Sequence, residues 1–431
     1  MSSQLNRRRF LQGSTVAAFA AWPLAAEDKK RSANEKVNLG IIGVGGQGTY
    51  NLNNVAHENI VALCDVDTQR DEVVAARKRH PQAKFYSDFR RVLDHKDIDA
   101  VVVATPDHWH AIPTVSALKV GKHVYCEKPL AHSVHEIRVM METAAKQQAV
   151  TQMGTQIHAE DNYRRVVEIV EAGVLGAIRR VQVWCAKRPD RRKLNKTPVK
   201  VRPGLEYDLW LGPAPERPYD PAFLPFHWRW WWDFGGGILA DMACHYMDLP
   251  HWALDLRTPT TVEASGGKKL GDGDHDVPDV LQVDYHYTAR GNLPPVHLTW
   301  YSGMKGPSLA EKGPYHGFSD GVVFEGEKGQ LIADYGRYKL LPEKEFSSFT
   351  PPKQTIAKSK GHHREWLDAI RNGGPTTCNF GYSGALAETV LLGNVAFRSG
   401  RKITWNEKEG KTDSTEADKW LQREYRKGWT L

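Results

Sequence analysis

The stretch "VNLGIIGVGGQG", Val37 to Gly48, decides how the first part of this chain is read. Its apolar, β-branched first half predicts a strand. The turn Gly43-Val44-Gly45-Gly46-Gln47-Gly48 then fits G-x-G-x-x-G ahead of a helix-forming segment. Glycines there permit a tight turn and let backbone N–H groups approach a pyrophosphate at a helix N-terminus. The glycine pattern alone is common. Its place between strand and helix, with Asp65 closing the next strand "NIVALC", makes it a dinucleotide fingerprint. A carboxylate at that position accepts hydrogen bonds from ribose hydroxyls and repels a 2′-phosphate, so NAD is expected over NADP.

Working outward, "KVNLGII", "NIVALC", "DAVVVAT", "KHVYCEKP" and "AVTQMG" read as strands, with helices starting near Thr68, His108 and Ser133. This βαβ rhythm predicts an α/β fold whose N-terminal domain, residues 33–154, is a Rossmann unit with a doubly wound parallel sheet. After Gly154 the rhythm changes. Longer strand candidates follow at "IRRVQVWCAK", "TVEASGGK", "VLQVDYHY", "VHLTWYSG" and "GVVFEGEKGQLIADYG", and two late helices at "HHREWLDAIRNG" and "YSGALAETVLLGNVAFRSG". Residues 155–431 are therefore expected to form an α+β domain with a largely antiparallel sheet.

The chain has 431 residues and a formal charge of +7, of which Arg7, Arg8 and Arg9 supply three; so modest an excess gives no case for nucleic acid. Five cysteines without a C-x-x-C pair indicate neither a disulfide framework nor zinc, and suggest buried thiols. The acidic loop "GDGDHDVPD" lacks the EF-hand glycine and terminal glutamate, so no metal is expected. Residues 1–32 hold "NRRRFLQGSTVAAFAAWPLAA", in which paired arginines precede Phe10-Leu11 and an apolar run. This resembles a twin-arginine signal and implies the twin-arginine export machinery as a partner and a periplasmic or otherwise exported protein.

Two more loops sit at the carboxyl ends of strands, the rim at which open parallel sheets bind ligands. "ATPDHWH" offers Thr105 and Pro106 to turn the backbone toward a cofactor, and His110 to cap the following helix. "CEKPL" offers Lys128 toward the nicotinamide end. Farther on, "HWRWWWDFGGGILADMACH" carries Asp241 and His245 one turn apart on one helix face. Strict alternation would set Trp228, Trp230 and Trp232 on one side of an extended segment, where Trp230 and Trp232 could stack on sugar rings. Gly235 to Gly237 would let the helix begin close to a ligand.

The ordered set GVGGQG, Asp65, ATPDHWH, Glu127-Lys128-Pro129 and GGGILADMACH resembles the Gfo/Idh/MocA family of NAD(P)-dependent sugar and cyclitol oxidoreductases. The resemblance runs from about residue 36 onward. It implies a Rossmann domain followed by an open mixed sheet often used for oligomerisation, hence a homo-oligomer. It further implies a catalytic set of Lys128, Asp241 and His245. Around the cofactor it implies Gly43, Gly45, Gly46, Gln47, Gly48, Asp65, Thr105, Pro106, His110, Glu127 and Lys128. His158, Tyr163, His362 and His363 are implied substrate contacts by position only. The family often has glycine between the Asp and the His, where this chain has Ala243.

Oxidising a carbinol requires hydride loss and removal of the hydroxyl proton, and an imidazole suits the second task. His245 is the expected base, Lys128 the donor to the same oxygen, and Asp241 the group orienting the polyol or the imidazole. The expected function is an exported, NAD-dependent oxidoreductase acting on a sugar or sugar-derivative carbinol. Export removes any recycling pool of free NAD, so the cofactor should be tightly held. Transient oxidation serving glycoside cleavage or epimerisation is the alternative, and a non-catalytic sugar-binding protein the third reading.

Overall fold

The computed structural model describes residues 35–269, 272–303 and 315–431; the twin-arginine motif lies outside the described residues. The Val37–Gly48 stretch folds as expected. Strand β1 (Asn38–Ile42) runs through the glycine turn into α1 (Gln47–Val55). The rhythm continues with β2 (Asn59–Cys64), α2 (Asp71–Arg79), β3 (Lys84–Tyr86), α3 (Phe89–Leu93), β4 (Ala100–Val103), α4 (Ala111–Lys119), β5 (His123–Glu127), α5 (Val134–Lys146) and β6 (Thr151–Gly154). The six strands form one parallel sheet in the order β3-β2-β1-β4-β5-β6. That order reverses between β1 and β4, which opens a crevice at their carboxyl ends. β4 is "AVVV", buried at every residue, as a central parallel strand covered by helices on both faces must be.

Beyond α6 (Asp161–Glu171) the chain lays down β7 (Ile178–Cys185), α7 (Tyr207–Leu211), α8 (Gly237–Ala253), β8 (Thr261–Gly267), β9 (Val280–Tyr287), β10 (Val296–Ser302), β11 (Gly321–Gly326), β12 (Gly329–Ala333) and β13 (Tyr338–Leu341). Then come α9 (His362–Asn372), α10 (Phe380–Ser399), β14 (Ile403–Asn406), β15 (Lys411–Thr412) and α11 (Thr415–Asp418). Nine of these strands make an open mixed sheet, ordered β13-β12-β11-β7-β10-β9-β8-β14-β15, in which only β7 and β10 run parallel. The alternating burial of β9 is that of a strand with one covered face, and α8 and α10 supply the cover.

The late helices return to the first sheet. α9 packs on α1, and its Trp366 and Leu367 share a core with Leu39, Ile41 and Val44. α10 lies against α5 and β6 on one side and α8 on the other. All five cysteines are buried free thiols.

Candidate active site

A cleft of about 570 Å3 runs from the glycine turn, across the ends of β2, β4 and β5, to the cleft face of α8. At its first end Gly43 approaches the next strand so closely that a Cβ would fall 2.7 Å from the Ala104 backbone; at a φ of +83° no other residue sits there without strain. Gly48 faces inward: its Cβ would fall 1.8 Å from the Gly43 carbonyl oxygen, so it serves the packing of turn on helix and does not line the cleft. Gly45, Gly46 and Gln47 do line it. Gly46 caps α1 with no side-chain acceptor, while Gly48 N and Thr49 N donate back to the Gly45 and Gly46 carbonyls at 3.1 and 3.0 Å.

Asp65 is at the expected rim, with part of its capacity already used. One carboxylate oxygen accepts from Val44 N and Gly45 N at 2.8 and 3.0 Å, the other from Asp67 N at 2.9 Å. Burial pushes its pKa up, against these three backbone donors. Thr105 and Pro106 line the cleft, and Thr105 Oγ1 is buried without a partner. A cradle at Gly43 that no Cβ could enter and the unpartnered Thr105 hydroxyl at its rim together fit a bound dinucleotide.

Glu127 accepts from Asn51 (3.0 Å), Gln156 (2.9 Å) and Gln47 (3.2 Å), which ties β5 to α1; burial raises its pKa. Lys128 follows and reaches across to α8, where its ammonium donates to both the backbone oxygen and Oδ1 of Asp241, each at 2.7 Å. Arg229 Nε donates to the same Oδ1 at 2.9 Å. Burial opposes the charge on Asp241, yet Lys128 and Arg229 hold its carboxyl far below the usual range. The carboxylate therefore anchors Lys128, and it does not orient the imidazole as expected. His245, one turn on, lines the cleft with Nδ1 unpartnered, and burial followed by the Lys128 charge pushes it down to about 3. It stands neutral at any ordinary pH.

Several sequence expectations are corrected. His110 sits at the N-cap of α4 and lines the cleft, but its side chain makes no capping bond: Nε2 lies 2.8 Å from the Thr105 carbonyl oxygen, so it braces the turn, and burial pushes it down to about 3. His158 lies away from the cleft, with Nδ1 2.9 Å from Asp248 and its ring stacked on Trp252 at 4.0 Å. Tyr163 is wholly buried and donates to the His245 carbonyl at 3.1 Å. His362 and His363 pack inside the Rossmann unit, bonded to Met153 O and Asn51.

The tryptophans do not alternate either, because His227–Trp230 turns as a short 3-10 helix. Trp230 is buried away from the cleft, and Trp232 is pinned to Asp276 O at 3.0 Å and lines a separate, small cavity. Trp228 lines the cleft instead, with the Arg229 guanidinium 4.1 Å over its ring. Gly235 to Gly237 make room for protein, since a Cβ on each would press on Arg229, Asn394 or Val277.

Two regions of the chain match descriptions of a single oxidoreductase family, Gfo/Idh/MocA. Its NAD-binding Rossmann fold matches residues 37–155 and its C-terminal alpha/beta domain residues 159–292, together more than half of the chain.

The chain belongs to the Gfo/Idh/MocA oxidoreductase family.

Among curated proteins it is 32% identical over 195 residues to a glycosyl hydrolase family 109 protein of Solibacter usitatus, covering 40% of this chain and 44% of that one. It is 30% identical over 145 residues to the inositol 2-dehydrogenase of Salmonella typhimurium, covering 32% and 43%. The chain thus spans less than half the length of these relatives. By fold it is similar to the WlbA dehydrogenase of Bordetella pertussis, solved with NADH and UDP-GlcNAcA: TM-score 0.62, 18% identity, 86% of this chain and 99% of that one. The aldose-aldose oxidoreductase of Caulobacter crescentus follows with TM-score 0.56, 17% identity, 86% and 100%.

Within this Gfo/Idh/MocA chain, sequence reasoning missed three cleft residues. Arg229 was hidden among tryptophans. Asp107 sat inside a motif read for its neighbours; burial pushes its carboxyl up to about 7, against the charges of Lys128 and Arg229. Arg70 lies over the glycine turn, where a Cβ on Gly45 would meet its guanidinium at 2.8 Å, and it pairs with Glu72 at 2.9 Å. Only Asp107 carried a signal, as an acid at a strand-end rim.

Proposed function

We propose that this chain is an exported, NAD-dependent oxidoreductase that oxidises a carbinol of a sugar or sugar derivative and keeps its nucleotide through repeated turnovers. One observation carries the reading: Lys128, fixed by Asp241 at 2.7 Å, shares a cleft with the glycine turn at one end and His245 at the other. Bound there, the nucleotide would supply the hydride acceptor. The glycine turn at the start of α1 would hold its pyrophosphate, and Asp65 and Thr105 would face its sugars.

Neutral His245 accepts the hydroxyl proton. Lys128 donates a hydrogen bond to the oxygen as negative charge develops, and Asp241 with Arg229 keeps the ammonium in place so that no reorganisation is needed. Asp107 lines the same cleft, where burial raises its carboxyl to about 7. Trp228 borders the cleft beneath the Arg229 guanidinium and helps seat that side chain.

The likeness to a glycosyl hydrolase family 109 protein supports a second reading, transient oxidation during glycoside cleavage. The test is mass spectrometry of nucleotide released from protein purified from its export compartment, followed by a sugar and glycoside panel with no NAD added. Reduction of bound NAD by a free sugar supports the oxidoreductase. Cleavage of a glycoside without net reduction selects the second reading, and no change with any sugar overturns both.

A further inference from the structure

Residues 423–431 lie across the outer end of the cleft, on the side away from α8. Arg423 Nε donates to Glu136 of α5 at 2.9 Å, and Tyr425 donates its hydroxyl to the same carboxylate at 2.7 Å. Arg426 grips the other wall, with Nε on Gly212 O and Nη2 on Asp208 O, both at 2.9 Å, and its own N–H on Pro213 O at 3.0 Å. The segment therefore bridges the Rossmann unit and the α7 region. Between these anchors and the cleft stands Trp429, whose ring meets Trp109 edge-on at 4.8 Å under the Arg90 guanidinium at 5.1 Å. Trp429 lines the same cleft as Lys128 and Asp65.

Strand order fixes which end this is. Lys128 follows β5 and Asp65 follows β2, while Phe89, packed on Trp109 at 5.6 Å, follows β3 at the sheet edge. A dinucleotide whose nicotinamide lies near Lys128 and whose adenosine ribose meets Asp65 carries its adenine outward, toward Phe89, Trp109 and Trp429. We propose that residues 423–431 form the outer wall of an adenine subsite, with the indole of Trp429 as its cover, and that this wall retains the nucleotide between turnovers. The inference rests on the nucleotide-dependent reading above.

The test is stopped-flow release of NADH from the full chain, followed by nucleotide fluorescence on mixing with excess NAD. Trp429→Ala should release NADH roughly tenfold faster, the scale of losing one base–aromatic stack, and Trp429→Phe should restore most of the retention. Reduced nicotinamide mononucleotide, which has no adenine, should bind parent and Trp429→Ala alike. If Trp429→Ala does not fold, Arg426→Met releases the anchor without altering the cleft and should also hasten NADH loss. Parent-like NADH release from the folded variant, or equal weakening of the mononucleotide, overturns the adenine cover while leaving the functional reading intact. A parent chain that binds no NADH overturns the functional reading itself.

Discussion

Helix α8 carries two carboxylates, Asp241 and Asp248, each followed about one turn later by an imidazole, His245 and His251, and the two differ in surroundings. On its cleft face Asp241 is pinned by Lys128 and Arg229, and His245 is left with an unpartnered nitrogen. Two turns on, Asp248 is sealed from solvent, held by His158 at 2.9 Å and by the Tyr382 hydroxyl at 2.7 Å. Burial opposes the charge on both carboxylates, and hydrogen-bonded partners overcome it in both. The first pairing borders open space and has capacity to spare; the second is closed. Residue type and helical spacing do not separate them. What separates them is whether β5 and the 227–230 turn bring cations and a cavity to that face.

The comparison breaks first on stability. Asp248→Ala leaves the His158 imidazole and the Tyr382 hydroxyl without their acceptor and should cost about 3–5 kcal/mol of unfolding free energy, measured by urea denaturation, with NAD binding kept below the transition. Lys128→Met should do the reverse. Single-turnover reduction of bound NAD should slow roughly a hundredfold or more, with a smaller loss of stability than Asp248→Ala because Arg229 still pairs Asp241; an unchanged rate removes Lys128 from the mechanism.

A third measurement uses pH. Burial, the first cause in each case, pushes His245 and His251 on this helix down to about 3. The unfolded chain therefore binds protons near pH 6.5 that the folded chain refuses until about pH 3. Stability from these groups is present above 6.5 and is lost as pH falls through that window, by about 1.4 kcal/mol per pH unit for each such histidine. His251→Gln should flatten the dependence of unfolding free energy between pH 6 and 4 (roughly the span set by those values) by one proton's worth. The smallest effect is expected from Tyr163→Phe, which removes one hydrogen bond to the His245 carbonyl: about 1 kcal/mol of stability, with KM for sugar unchanged if Tyr163 only supports the helix.

The Rossmann half was legible because its signals are local. Val37–Gly48, Asp65 and the ends of β4 and β5 each state their role within a few residues. Strand β3, three residues long, is too short for a period to show, and β13, β14 and β15 have only four, four and two residues. Lys128, Asp241 and His245 were found through motifs, but the geometry joining them was not, since Lys128 and Asp241 stand 113 residues apart. The substrate residues failed for one reason. His158 and Tyr163 have chemistry suited to sugars, and nothing in the sequence says which way a side chain faces in a segment packed on both sides. The tryptophan run failed because a 3-10 turn replaced the extended segment on which alternation depends.

The packing of α9 on α1 bears on how the chain is made. Asn51 meets His363 across 312 residues, Glu58 meets Arg371 across 313, and Tyr125 stacks on His363 at 4.8 Å. A ribosome that has delivered all six parallel strands has still not delivered Trp366, which fills the core between them and α1. The six-stranded sheet precedes α9 by roughly two hundred residues of chain, from β6 to α9, and its core closes only with α9, so its folding is paced by the length of chain that must emerge first. Loading of a dinucleotide then belongs after α9 has emerged, and a nascent chain stalled short of α9 would present the glycine turn on an unsupported helix.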